Sequence, residues 1–182
     1  STSRLGGIFH AARSCDALNI EYALAYYAPD YLVKDVEKFG IDVLRASSIF
    51  RLGKVDKAPN VMLIGQSDES GNQLYENILG RQAEYVSMLP FMQVLDDFDP
   101  TDIIIFPGRY GNAGILSNLS NYEGKIHIDM NYDCDDILDL DTIKIQTVFL
   151  STSSTSFEEF FKEISYDNLI KYFDKKNVSQ LL

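Results

Sequence analysis

Between residues 101 and 150 the chain returns three times to short, β-branched apolar runs: TDIIIFPG, KIHIDMN and TIKIQTVFLS. The first is bounded by Pro and Gly, and its composition predicts a central parallel strand buried on both faces. GNAGILSNLSNYEG, between the first run and the second, reads as a helix or helical turn. SFEEFFKEI and NLIKYFDKK, after the third, read as helices. Strands that alternate with helices demand crossover connections, and therefore a parallel sheet with helices packed on it.

The first half adds to the same pattern. Ala11, Ala12, Cys15 and Leu18 recur at helical spacing, which predicts a helix over 10–19. Residues 20–28, IEYALAYYA, read as a buried strand. After Pro29-Asp30, YLVKDVEKFG reads as a short amphipathic helix ended by Gly40, and IDVLRASSIF begins another strand. Residues 59–79, PNVMLIGQSDESGNQLYENIL, place two strand-like runs around a polar turn containing Gly71, the pattern of a β-hairpin. A helix is expected over 87–98. The resulting fold class is α/β: a three-layer, mostly parallel sheet with a hairpin at about 59–79, in a single domain or domain fragment over 1–182.

Composition narrows the function classes. With 46% hydrophobic residues in 182, the chain can bury about 70% of its unfolded surface. No apolar run approaches the roughly 18 residues of a membrane span, so no membrane partner is expected. A net charge of −11 repels phosphate backbones, so no nucleic-acid partner is expected either. A small phosphorylated ligand stays compatible with that charge. Cys15 and Cys134 lack a CxxC spacing and read as free thiols of a cytoplasmic protein. His10 and His127 are too distant in sequence for a local metal motif.

Three segments could carry chemistry. Gly6-Gly7 precede a helix, where bare backbone N–H groups suit a polar or anionic ligand; a tight turn is the structural alternative. In HIDMNYDCDDILDLD, residues 127–141, Asp129, Asn131, Asp133 and Asp135 recur at every second position after a strand. That spacing can converge oxygen ligands on a hard cation, or simply form a solvated acidic loop. An EF-hand is excluded, because Cys134 stands at the turn glycine and Leu140 at the closing glutamate. STSSTSFEEFF, residues 151–161, sets hydroxyls before Glu158 and Glu159, which is mostly helix-capping chemistry.

The order of these segments resembles the ribokinase-like (PfkB-type) sugar and nucleoside kinases. GGIFHAARSCDALNIEYALAYYAPDYLVKDVEKFGIDV resembles the family's Gly-Gly substrate helix, its next strand and its Gly-hydrophobic-Asp-Val passage. PNVMLIGQSDESGNQLYENIL resembles the lid hairpin, and FDPTDIIIFPG the strand reached after an Ala-Asp step. KIHIDMN resembles the strand ending in Asp-x-Asn, and STSSTSFEEFF the loop-helix with Asn-x-x-Glu. The resemblance implies an incomplete Rossmann-like sheet with a lid, and transfer of the ATP γ-phosphoryl to a sugar or nucleoside hydroxyl with Mg2+. It implies Gly6, Gly7 and His10 as substrate-binding residues. Asp129, Asn131, Asp133, Asp135, Glu158 and Glu159 would lie near the phosphate and metal.

The family's asparagine after Gly-Gly is His10 here, and Thr155 or Ser156 stands where the Asn of Asn-x-x-Glu belongs. Its Gly-Ala-Gly-Asp anion hole and catalytic base have no counterpart in these residues. Phosphoryl transfer needs both, so this chain alone is expected to be inactive, with its C-terminal half or a second copy as partner. Two other classes remain open. One is a non-catalytic sugar- or nucleoside-binding sensor or interaction domain. The other is a metal-dependent nucleoside hydrolase, because IDMNYDCDD also resembles that family's calcium- and ribose-binding aspartate loop at Asp129, Asp135 and Asp136.

Overall fold

A computed structural model describes residues 7–56, 62–67, 73–77, 84–106, 119–130, 143–150, 166–175 and 178–182. They form a mixed α/β structure with parallel strand pairing. The chain divides into two compact units, Cys15–Pro90 and a second made of Ser1–Ser14 with Phe91–Leu182. Helix α1 (Gly7–Leu18) crosses the boundary in sequence. It stops at Asn19, whose positive φ of 54° suits a short polar side chain, and the Ile20 N–H closes the end on the Cys15 carbonyl.

In the Cys15–Pro90 unit, β1 (Ala23–Ala28) pairs in parallel with β2 (Ser48–Asp56). The expected strand forms; Leu24, Tyr26 and Ala28 are buried and their neighbours half-buried, the period-two alternation of a strand. Between them runs α2 (Val33–Asp42). Gly40 lies inside α2 and does not end it, contrary to the sequence expectation. A Cβ there would collide with the Ile49 side chain, so glycine serves the close approach of helix to strand. Ile41 and Asp42 accordingly finish the helix, and the strand begins only at Ser48.

The expected hairpin forms: β3 (Met62–Ser67) and β4 (Gln73–Asn77) pair antiparallel, with Ile64 opposite Tyr75. The turn with Gly71 lies outside the described residues. The helix expected over 87–98 is shorter. Glu84–Ser87 is instead strand β5, antiparallel to β2, and α3 is Phe91–Phe98. The Met88 and Leu89 N–H groups both donate to the Leu52 carbonyl, and Pro90 then separates strand from helix.

In the other unit, four parallel strands lie in sequence order: β6 (Asp102–Ile105), β7 (Lys125–Met130), β8 (Ile145–Leu150) and β9 (Val178–Leu181). Helix α4 (Tyr166–Lys175) precedes β9, a strand the sequence reading did not anticipate. Ile126, Ile128 and Val148 are almost wholly inaccessible and share a core with Leu119, Ile143 and Phe173. The run TDIIIFPG does not become a central strand buried on both faces. Among the described residues β6 is the edge of its sheet, and Ile104 is 50% exposed. The segment 156–164, expected to be helical, lies outside the described residues, as do 111–118 of the earlier helical expectation.

Candidate functional site

On β7 the alternation of KIHIDM turns Ile126 and Ile128 into the core and sets Lys125, His127 and Asp129 on the opposite face. In parallel register, Ile104 stands beside His127 on β6, with Thr147 and Phe149 beside His127 and Asp129 on β8. This face is therefore polar along β7 and partly apolar beside it.

Asp129 is next to last in β7, at the carboxyl end of the parallel sheet, where open α/β sheets place ligands. Its side chain is half-buried, and that desolvation pushes its carboxyl above the usual carboxylate range. A bound cation or a ligand hydroxyl would reverse or exploit that shift. Among the nominated residues, Gly7 opens α1 and His10 is exposed on the same helix, its carbonyl accepting from Ser14 Oγ at 3.2 Å. Gly6, Asn131, Asp133, Asp135, Glu158 and Glu159 lie outside the described residues, as does Cys134. Cys15 is a half-buried free thiol whose pKa is raised, first by burial and then by Asp16.

Sequence reasoning missed a polar chain on the same face. His127 Nε2 lies 3.1 Å from Asp102 Oδ1, and Thr101 Oγ1 donates to Asp102 Oδ2 at 2.9 Å. These contacts hold the Asp102 carboxyl below its ordinary range, chiefly through His127 and then Thr101. Sequence spacing gives His127 no local partner, since His10 is far away along the chain. Strand pairing brings His127 to a residue 25 positions away instead. Nearby, the buried Thr147 hydroxyl donates to Gln180 Oε1 at 3.3 Å, which satisfies it across β8 and β9.

No group of three His, Cys, Asp or Glu side chains among the described residues could hold a metal ion. Of the acids that the family resemblance sets near Mg2+, the described residues include Asp129 alone. No helix among the described residues is long and apolar enough to cross a membrane. Compared with family models, curated proteins and solved structures, the chain matches none.

Proposed function

We propose that the chain is a ribokinase-like module that binds a sugar or nucleoside at the carboxyl end of a Rossmann-like parallel sheet. The wider chemistry of such a fold is transfer of the ATP γ-phosphoryl to a hydroxyl; this chain alone binds without transferring. The observation that carries the reading is the position of Asp129. The residue singled out in the Asp-x-Asn passage sits half-buried at the end of a parallel strand. Further support comes from the order of elements: helix, strand, helix, strand, antiparallel hairpin, a strand antiparallel to β2, a helix, then parallel strands in sequence order.

The test is a thermal-shift panel of sugars, nucleosides, ATP and ADP, each with magnesium and with calcium. A ligand that binds only the native state at a hundred times its Kd adds about 2.7 kcal/mol of stability. A shift with a sugar or nucleoside that Asp129→Asn diminishes is the expected result. A shift with calcium alone would favour the hydrolase reading, and a flat panel from folded protein would overturn the proposal.

A further inference from the structure

The carboxyl end of β1 carries a second arrangement that the sequence did not flag. Arg51 Nη2 donates to the carbonyl of Ala28, the last residue of β1, at 3.3 Å, and Arg51 Nε donates to the Gly53 carbonyl at 3.3 Å. Two backbone acceptors thus fix the guanidinium, and the side chain is only 22% exposed. Nη2 also contacts the Asp30 carboxylate. Asp30 is placed very differently: it opens the short 3-10 turn after Pro29 and is 72% exposed. A rigid, mostly buried cation is therefore capped by an acid on an exposed turn.

A β-bulge supplies a second cation. Arg51 pairs with Tyr26 and Gly53 with Tyr27, so Leu52 is the extra residue in β2. In a regular strand, residues 51 and 54 would point to opposite faces. The bulge resets the alternation, so Arg51 and Lys54 stand opposite Tyr26 and Ala28, which share a face of β1. The Asp30 carboxyl is held below its usual range mainly by the Arg51 hydrogen bond, and the charges of Arg51 and Lys54 add to this. The charge of Glu37 of α2 reaches Tyr26, as does that of Arg51.

We propose that Arg51 and Lys54 form a binding position for the phosphate group of a small molecule at the carboxyl end of β1, closed in the free protein by Asp30 as an internal carboxylate. Arginine binds carboxylate and phosphate through the same donors, so Asp30 occupies the place of the ligand's oxygens. Two cations on one face favour a phosphate dianion over a monoanionic carboxylate. Binding exchanges one anion for another, and Asp30 swings out with its turn. The position belongs to the Cys15–Pro90 unit and its test does not involve Asp129, so either proposal can fail without the other.

Titration of the full chain with inorganic phosphate, followed by backbone amide shifts, tests this, with acetate as the monoanion control. Weak phosphate binding centred on 28–31 and 51–54 is expected in the wild type. Asp30→Asn removes the competitor and should bind about tenfold tighter. Arg51→Gln should abolish binding, Lys54→Gln should weaken it, and acetate should compete poorly. Phosphate affinity unchanged by Asp30→Asn, or binding that survives Arg51→Gln, would overturn the proposal. If Arg51→Gln does not fold, judged by its thermal transition, Asp30→Asn and Lys54→Gln decide the matter.

Discussion

His127 and Asp102 meet across two neighbouring parallel strands, with Nε2 3.1 Å from Oδ1, and tie the edge strand β6 to β7. The contact is half-exposed on the Asp102 side, so solvent screens it. Because the folded-state pKa of Asp102 is depressed, its contribution is present above the ordinary value of 3.8 and is lost as pH falls through the lowered folded value. Asp102→Asn should therefore lower stability by about 1 kcal/mol or less at pH 7. The difference from wild type should close below pH 3.8, as read from thermal unfolding across the acid range.

Tyr22 gives the opposite sign at alkaline pH. Its hydroxyl donates to Asp16 Oδ1 at 2.9 Å, and the same oxygen accepts the Arg45 backbone N–H at 3.0 Å. Burial, followed by the Asp16 hydrogen bond and charge, pushes the phenol up to about 12. The stabilisation is full below the ordinary value of 10.0 and is lost as pH rises through about 12. Ultraviolet titration should show a late-ionising tyrosine that Tyr22→Phe removes, at a cost of about 1 kcal/mol at neutral pH.

Two glycines should respond differently to alanine. A Cβ at Gly53 would run into the Val86 carbonyl and the Tyr27 ring, whereas at Gly40 it meets only the end of the Ile49 side chain. Gly53→Ala should loosen the β2–β5 pairing, seen as faster amide exchange over 84–87. Gly40→Ala should be milder, since Ile49 can change rotamer.

The core beneath the candidate site should be sensitive and the helix surface tolerant. Ile128 is fully buried directly before Asp129, and Ile128→Ala should cost about 2–5 kcal/mol. His10 is exposed, and His10→Ala should stay within about 0.5 kcal/mol of wild type. Urea unfolding compares the two.

The strands were legible where apolar periodicity was local. KIHID alternates, and Ile126 and Ile128 point inward as that pattern requires. What failed depended on contacts between distant segments. Gly40 looked like a helix end because its reason, the Ile49 side chain, lies in the next strand. Ser87 was read as the start of a helix and not as the end of β5, because its partner Gly53 on β2 cannot be read from the local composition. The run at 102–105 has the composition of a central strand, yet the described sheet gives it a neighbour on one side only. Of the candidate site, Asp129 was visible from its place after a strand. The Asp102–His127 contact and the Arg51–Asp30 contact were not, since both are set by strand register and a bulge.

The central claim is that a sugar or nucleoside binds at the carboxyl end of β7. Backbone amide shifts recorded while sugars and nucleosides are titrated into the full chain, and into Asp129→Asn, test it most directly. The account predicts perturbations centred on 128–130 with the wild type that are lost with the variant. Perturbations confined to other residues, or identical in both proteins, would contradict it.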